Sequence, residues 1–544
     1  MRLRFVIHLI ALIFFAQSAQ ASWILKRIKQ GEKVTPVGVS WTESDPNAIV
    51  PRTLRSFPAY VAEGQTPSLE IYEEIFWPSE ELPASFAKFA LSSRLADFAV
   101  AGTEVRTIVD QGNPANRICL TFIGDGYTEQ EKERFFSDVA RLVDDLFNGK
   151  TFASYTALFN VYAVFVPSQD SGITDVNRKN TAFGLYRSPA GSKRAIMPGN
   201  SYAIEKAIRL APKTDYPVVI ANDEFYGGLG GRYAITTRSI ESGKIVLRHE
   251  LGHNFGDVGE EYDNGSVYSG ANSSSSPNVS WKHWIEGTPA KKQQDMRLLG
   301  GAYVWQNLAQ GPVIQDFRFP APNNKGSFWF EVQLSSVGWQ TLEDVEILLD
   351  GRKLEITGTG TSDRSFFNTV KIQDLPPGDH TLEINEVKKD GDNILAFANL
   401  YAYEADYAFN GEISAFTTYD EWGGTRYRPT HQQCLMRDML FEFFCPIDQE
   451  NMWIRFFDRV RIIDAVDVGA TAVELKSLKL ANLKIAWFKK DGASETEMTE
   501  FRDQKSIDRN LLTKGSYSAK VEFQSSEIRK TSSRLKDTMS FEVL

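Results

Sequence analysis

The segment RHELGHNFG, residues 248–256, constrains the fold of this chain more strongly than any other feature. It contains His249 and His253, four positions apart, with Glu250 directly after the first histidine. On an α-helix, residues four apart lie on one face, one turn from each other, whereas in a β-strand they would be about 13 Å apart. The spacing therefore predicts a helix that carries both histidines and ends at Gly256.

Such a helix can carry the ligands and the general base of a catalytic zinc ion. The imidazoles of His249 and His253 would bind the metal, because catalytic zinc has three protein ligands and a position for water. Glu250 would face that position and take a proton from the water, whose pKa zinc lowers towards about 7. A structural site has no need of a general base, so the pattern favours hydrolysis of peptide bonds.

The third zinc ligand is not fixed by this pattern. In the metzincin pattern H-E-x-x-H-x-x-G-x-x-H, the chain turns at the glycine and a third histidine follows. Here Gly256 stands at the turn, but Gly259 stands where that histidine would be. Glu260 comes one position later, and its longer side chain can make up the offset, so we predict Glu260 as the ligand. The alternatives that stay open are Glu261 and a remote histidine, either His283 or His431.

Length and composition limit the class of protein. The chain has 42% apolar and 24% charged residues, as ordinary globular proteins do. Its 544 residues exceed what one hydrophobic core supports, so several domains are expected. The net charge of −10 and the lack of a basic stripe argue against a nucleic-acid partner.

The first 21 residues have the features of a secretory signal peptide. Arg2 and Arg4 precede an apolar run, and the small residues Ala19 and Ala21 form a cleavage site. The run is too short to cross a bilayer, and we expect no membrane span after cleavage. The sequence thus predicts a secreted, periplasmic or cell-surface protein.

The residue pattern along the chain changes several times, which predicts five segments. Residues after 117 alternate strands and helices, as in a mostly parallel sheet with helices on it, and later stretches show short strands between turns. We therefore expect an α/β zinc peptidase domain with a β-sandwich insertion and a C-terminal β-sandwich domain. The expected segments are 1–21 (signal peptide), 22–110 (N-terminal subdomain), 111–307 with 409–465 (zinc peptidase domain), 308–408 (inserted β-sandwich) and 466–544 (C-terminal β-sandwich).

The three cysteines, Cys119, Cys434 and Cys445, are too few for a disulfide scaffold. Export permits one bridge, and we expect it between Cys434 and Cys445. Cys119 lies in the apolar segment RICLTFIG, which predicts a buried strand with a core thiol.

Several segments resemble the bacterial IgA-peptidase family of secreted zinc metallopeptidases, which are distant relatives of the metzincins. The resemblance covers about residues 117–290 and 409–465, and its most specific part is HELGH followed by an acidic residue and Glu-Tyr. The segments occur in the family's order: FIGDGYTEQE, FNVYAVFVPSQDSGITD, NTAFG, YPVVIANDEFYGGLGG, RHELGHNFGDVGEEYD and CLMRDM with FCPID.

The resemblance implies an α+β, metzincin-like fold and zinc peptidase activity. It implies that His249, His253 and Glu260 are the metal ligands and that Glu250 is the catalytic base. It also implies that Met436 lies under the zinc as a hydrophobic floor. One departure is Asp448, which stands where the family often has a cysteine three residues after the FC cysteine.

Together these features predict a secreted zinc-dependent endopeptidase that acts on a protein or peptide substrate. The alternative is a cell-surface protein that binds glycan or protein through its β-domains and has a structural or relic zinc site. An exopeptidase is a third possibility that the sequence leaves open. The two β-domains are candidates for binding a glycan or a surface protein in each case.

Overall fold

The structure is a computed structural model that describes most of the chain beyond residue 101. The predicted signal peptide, residues 1–21, lies outside the described residues, as do parts of the expected N-terminal subdomain. Contacts divide the chain into two compact units, Met1–Asp97 with Pro198–Ala203, and Phe98–Met197 with Ile204–Leu544. The described residues are 22–30, 33–42 and 70–76 (backbone only), 102–187, 194–286, 293–302, 304–341, 343–356, 360–373, 375–389 and 391–544.

The first unit contains one antiparallel sheet of three strands. Its strands are β1 (Ser22–Gln30), β2 (Lys33–Thr42) and β3 (Glu70–Phe76). Strand β1 lies in the middle and pairs with both neighbours, in the order β2-β1-β3.

The chain after residue 101 begins with a mixed sheet, and the described residues contain four helices in all. The strands up to residue 237 are β4 (Glu104–Val109), β5 (Ile118–Asp125), β6 (Phe159–Phe165), β7 (Tyr186–Arg187), β8 (Ile196–Met197), β9 (Tyr216–Ala221), β10 (Gly228–Leu229) and β11 (Ala234–Thr237). The helices of the described chain are α1 (Lys132–Phe147), α2 (Ser201–Ile208), α3 (Gly243–Gly256) and α4 (Pro446–Phe456).

Six of these strands form one sheet in the order β10-β11-β9-β5-β6-β4. The four central strands are parallel, while β10 and β4 at the two ends run antiparallel to their neighbours. Strands β5, β6 and β9 are buried along their whole length, which explains their continuous apolar sequences. The predicted strands and the mostly parallel sheet are therefore present.

Helix α1 packs on the sheet against β6, where Phe135 contacts Phe165 and Phe147 contacts Phe159. Thr128 and Glu131 form a capping box just before it, and Glu131 Oε2 accepts the N–H of Thr128 at 3.0 Å. The predicted apolar face is buried in the main core through Phe135, Phe136, Val139, Leu142, Val143 and Leu146.

Residues 296–403 form two antiparallel sheets that share one buried core. One sheet has the order β12-β20-β15-β18 with β13 paired to β20, and the other has the order β14-β19-β16-β17. Phe317 and Phe330, one from each sheet, stack with their rings 5.1 Å apart in this core. The strands are β12 (Met296–Ala302), β13 (Gln306–Asn307), β14 (Val313–Phe319), β15 (Trp329–Val337), β16 (Val345–Leu349), β17 (Arg352–Lys353), β18 (Ser365–Asn368), β19 (Gly378–Glu386) and β20 (Ile394–Tyr403).

The rest of the chain returns to the first core and forms three further small sheets, β21-β22, β23-β24-β27 and β26-β25-β28-β29. Trp453 of α4 packs against Phe523, with ring centroids 4.7 Å apart, so the C-terminal strands extend the main core. The strands are β21 (Phe416–Tyr419), β22 (Thr425–Arg428), β23 (Ile463–Val468), β24 (Ala472–Ser477), β25 (Leu483–Asp491), β26 (Ser494–Glu497), β27 (Ser506–Asp508), β28 (Gly515–Phe523) and β29 (Lys536–Val543).

The described chain is thus rich in β-sheets, with few helices, as expected of a peptidase domain accompanied by β-domains. The antiparallel pair of sheets already starts at Met296, before the expected start of the insertion at residue 308. The five segment boundaries stay predictions. Within the described residues, no helix combines the length and the apolar character that crossing a membrane requires.

Candidate metal centre

Helix α3 places the two histidines of HELGH on one face. It follows edge-adjacent strand β11, spans Gly243–Gly256 and ends where the sequence predicted. Asp257 then takes a left-handed conformation with φ 50°, and its N–H donates to the carbonyl of His253 at 2.8 Å. This turn sends the chain back towards the helix face that carries His249 and His253.

The returning chain brings Glu260 to the two imidazoles. His249 Nε2 and His253 Nε2 are 3.2 Å apart. Glu260 Oε2 lies 3.2 Å from the first of these nitrogens, and Glu260 Oε1 lies 3.3 Å from the second. Donor atoms bound tetrahedrally to zinc at 2.0–2.1 Å are about 3.3–3.4 Å apart, so the three side chains fit one zinc ion.

The backbone around Gly259 leaves no room for a side chain at the position where the metzincin pattern has its third histidine. A Cβ atom at Gly259 would lie 2.5 Å from Val267 O and 2.6 Å from Ser269 N. The N–H groups of Gly259 and Glu260 donate to the carbonyls of Ser269 and Val267, each at 2.8 Å. A side chain cannot be placed at residue 259 in this conformation, and the next residue supplies the carboxylate instead.

Backbone carbonyls orient both imidazole rings. His253 Nδ1 lies 2.7 Å from Val258 O, and His249 Nδ1 lies 3.4 Å from Leu435 O. A carbonyl oxygen only accepts, so Nδ1 is the donor in each contact, and a neutral ring would present the lone pair of Nε2 to a metal. This tautomer is the one that a metal requires, and such carbonyl contacts are usual behind metal-binding histidines.

The charges in this group favour a cation between the donors. Burial opposes ionisation of Glu260, but the charges of His253 and His249 outweigh it and hold the pKa of this carboxyl well below its usual range. Burial also opposes protonation of His253, yet the charge of Glu260 raises the pKa of His253 to about 9. Glu260 Oε2 is buried without a well-formed hydrogen bond. The carboxylate therefore needs positive charge, which a metal ion would supply.

Glu250 lies beside this donor group and is not part of it. Its charge raises the pKa of His253, so the two side chains are close. A Cβ atom on Gly230 would overlap with Glu250 Oε2. Gly230 follows edge strand β10, and the absence of a side chain there leaves the space that the Glu250 carboxylate occupies.

Met436 lies in the segment between β22 and α4 and packs against α3. It is fully buried, and a Cβ atom on Gly252 would lie 2.8 Å from Met436 Sδ. The Met436 carbonyl accepts the N–H of Glu261 at 3.1 Å. The position agrees with the hydrophobic floor that the resemblance implies, and it joins this turn to the segment that carries Glu260.

The other candidate ligands are placed elsewhere. Glu261 faces a separate group with Cys434, Cys445 and Asp448. His283 Nε2 is 2.7 Å from Glu450 Oε2, and His431 Nδ1 is 3.1 Å from Tyr407 OH. Within the part of the chain that the structure describes, neither histidine belongs to a group of potential metal ligands.

The expected bridge between Cys434 and Cys445 is not formed, and both residues are free, buried thiols. Cys445 N–H instead donates to Cys434 Sγ at 3.3 Å. Cys119 is a buried thiol in β5, as its sequence predicted.

A buried ion pair that was not predicted from the sequence stabilises the turn after α3. Arg437 Nη1 lies 2.6 Å from Asp263 Oδ2, and both side chains are fully buried. Tyr401 in β20 donates its hydroxyl to the same carboxylate oxygen at 2.8 Å. The only sequence signal was the charged pair RD inside CLMRDM, which does not reveal a partner 174 residues away.

Comparison with curated proteins finds no match for the chain. Among solved structures, it is similar to the crystal structure of the glycoside hydrolase domain of Endo-D from Streptococcus pneumoniae R6. That alignment has 10% identity, covers 46% of this chain and 37% of that chain, and has a TM-score of 0.10. Such a low score carries no argument about fold or function.

The family comparison is informative. The model of the family described as IgA Peptidase M64 matches residues 107–294. The matched range starts in β4 and includes the six-stranded sheet, helix α3, and the turn with Glu260. Residues 107–294 are thus similar to the IgA Peptidase M64 family, which supports the resemblance seen in the sequence and a metallopeptidase as the class of protein.

Proposed function

We propose that this chain is a secreted zinc-dependent endopeptidase with a metzincin-like site, in which Glu250 is the general base. The observation that carries the proposal is the convergence of His249 Nε2, His253 Nε2 and the Glu260 carboxylate within 3.3 Å of one another. The match of residues 107–294 to the model of a peptidase family also supports this reaction class.

The donor set suits zinc. Two imidazole nitrogens and one carboxylate are accepted ligands of catalytic zinc, and the three would leave one position open. When bound, zinc would lower the pKa of a coordinated water and polarise the carbonyl of the substrate. Of the three side chains, His253 is the most accessible, at 22% exposure, so substrate would approach from its side.

Glu250 would move the proton that hydrolysis requires. Its carboxylate is held on the same helix as the two histidines, one residue after the first. It would accept a proton from the attacking water at an oxygen facing Gly230, and then donate it to the nitrogen of the leaving amine. The glycine leaves the carboxylate free to occupy this position.

Strand β10 would position an extended substrate. It is the end strand of the six-stranded sheet, and Gly230 beside Glu250 follows it directly. Its first residue, Gly228, already donates its N–H to the carbonyl of Arg194 at 3.0 Å. A peptide would therefore pair along residues 229–231 and bring its scissile bond past Glu250.

The substitution Glu250→Gln tests this function. It keeps the size of the side chain and removes the base, so cleavage of casein should stop while bound zinc stays at the wild-type level. Glu241→Gln is the matched control, because Glu241 is exposed just before α3 and should keep full activity. Substantial cleavage by the Glu250→Gln chain would contradict the assignment.

Two further assays separate the alternatives. Peptides blocked at both ends should be cleaved by an endopeptidase, whereas an exopeptidase would require a free end. Export should depend on residues 1–21, which a fusion of this segment to a reporter enzyme would show. A lack of any cleavage by the zinc-loaded chain would favour a protein that binds glycan or protein through its β-sheets.

A further inference from the structure

A second group of potential metal ligands lies directly behind the first. It consists of Glu261, Cys434, Cys445 and Asp448, whose ligand atoms all lie within 4.8 Å of one another. All four side chains are completely buried. Two thiols and two carboxylates gathered in the interior are unusual, because buried carboxylates are normally paired with a cation or fully hydrogen-bonded.

The hydrogen bonds within this group leave two carboxylate oxygens without partners. Asp448 Oδ2 accepts the thiols of Cys434 at 3.2 Å and of Cys445 at 3.6 Å, and Glu261 Oε1 accepts the amide of Asn272 at 3.1 Å. Glu261 Oε2 and Asp448 Oδ1 are buried and have no partner. Leaving such oxygens unsatisfied is costly, and a cation bound between them would complete their coordination.

Neighbouring cationic side chains do not fill this role. Burial and the charge of Asp448 raise the pKa of Glu261 well above its usual range, and the opposing charge of Arg428 does not outweigh them. The Arg428 guanidinium donates its hydrogen bonds to the carbonyls of Thr417 and His431 instead. Among the residues that the structure describes, no cationic side chain hydrogen-bonds to either of the two oxygens.

We propose that Glu261, Cys434, Cys445 and Asp448 hold a second, structural zinc ion. On binding, the two thiols would each lose a proton to solvent, and zinc would be ligated by two thiolate sulfurs and two carboxylate oxygens. The N–H of Cys445 already donates to Cys434 Sγ at 3.3 Å, and a thiolate accepts such a bond more strongly than a thiol does.

The placement of the four residues indicates what this ion does. Glu261 directly follows Glu260, Cys434 precedes Met436 by two residues, and Cys445 is the N-cap of α4. The ion would tie together the turn with the third ligand of the first centre, the turn under α3, and the start of α4. It would thus position Glu260 without contact with substrate.

Metal counting tests this inference. The full-length chain, purified in reductant and loaded with zinc, should contain two zinc ions by mass spectrometry. The variant His249→Ala/His253→Ala should retain one ion, and Cys445→Ser or Asp448→Asn should each reduce the count by one. Cys119→Ser is the matched control, a buried thiol outside both groups, and should keep two ions.

Cobalt identifies the ligands of the remaining ion. Loaded with cobalt, the His249→Ala/His253→Ala chain should show a thiolate-to-cobalt absorption band, which Cys445→Ser should abolish. A wild-type chain with one ion, the absence of this band, or a Cys434–Cys445 disulfide in the native protein would overturn the inference. The number of zinc ions bound by the wild-type chain requires no substitution, so the inference is tested even if a variant fails to fold. An inactive chain with two ions would contradict only the proposed function.

Discussion

The two donor groups meet at the neighbouring residues Glu260 and Glu261 and differ in burial and in the type of their donor atoms. One contains His249, His253 and Glu260, and His253 is 22% exposed at its side chain. The other contains Glu261 with two cysteines and Asp448, all at 0% exposure. A centre that solvent and substrate can reach suits catalysis, whereas a sealed centre with sulfur donors suits a structural role.

The boundary between the groups falls between Glu260 and Glu261. Both are glutamates in the same turn, so residue type does not determine their roles. On one side of the turn, Gly259 packs closely against the backbone of residues 267–269. On the other side, the N–H of Glu261 donates a hydrogen bond to the carbonyl of Met436. Backbone geometry therefore determines which carboxylate reaches the histidines.

The largest effect is expected from a matched pair of substitutions at this boundary. Glu260→Gln removes the charge of the proposed third ligand beside His249 and His253, and we expect cleavage to fall by about a thousandfold or more as zinc binding is lost. Glu261→Gln should leave the His249–His253 pair able to bind zinc, with its main effect on stability. Equal losses of activity in the two variants, measured at saturating zinc, would remove the distinction between the centres.

Breaking the ion pair of Asp263 and Arg437 tests how strongly this pair stabilises the turn that carries Glu260 and Glu261. Asp263→Asn leaves a buried guanidinium unpaired, so we expect a loss of about 3–5 kcal/mol in the free energy of unfolding. Asp379→Asn is the control, since the pair of Arg318 and Asp379 is exposed and should contribute less than about 1 kcal/mol. Denaturant titration measures both, and equal small losses would contradict the role of the buried pair.

The same pair gives a pH dependence. Burial opposes ionisation of Asp263, but Arg437 outweighs it and lowers the pKa of Asp263 below its ordinary value. The contribution of this group is therefore present above the unfolded pKa of about 3.9 and is lost as pH falls through the lower folded value. The difference in stability between wild type and Asp263→Asn should thus shrink only in strongly acidic solution.

Substituting Gly230 tests whether the Glu250 carboxylate needs the space that this glycine leaves beside the group of His249, His253 and Glu260. Gly230→Ala would force the Glu250 carboxylate to move, and a displacement of this size costs about 10–100-fold in kcat. Bound zinc should not change, because Gly230 touches no ligand of either group. Gly411→Ala, where a Cβ would meet only Gln433 at 4.0 Å, should be neutral. Unchanged cleavage by Gly230→Ala would argue against the position of Glu250.

The smallest effect is expected at Tyr401, which joins strand β20 to the turn. Tyr401→Phe removes one hydrogen bond to Asp263 and should destabilise the chain by about 1 kcal/mol. Activity at saturating zinc should stay near the wild-type value, because Arg437 still holds Asp263. A large loss of activity would show that the strands between residues 296 and 403 act on the site directly.

Local features of the molecule could be predicted from sequence, whereas distant partnerships could not. The spacing of His249 and His253 gives helix α3, and apolar runs give β5, β6 and β9. The sequence left Glu260 and Glu261 as alternatives, because the side of the turn that each faces depends on contacts with Met436.

The cysteines show the same limit. Their spacing suggested a bridge, but Cys434 and Cys445 are free thiols that both contact Asp448. Glu261 is more than 170 positions before them in the chain, and no local pattern links it to this group. The contact of Gly230 with Glu250 depends in the same way on packing between strand and helix.

Anomalous diffraction at the zinc edge from crystals of the zinc-loaded chain tests the division between the two centres most directly. We predict a peak at about 2.0–2.2 Å from His249 Nε2, His253 Nε2 and a carboxylate oxygen of Glu260, with Glu250 beside it and unbound. A peak completed by Glu261, His283 or His431, or no peak at the two histidines, would contradict the assignment.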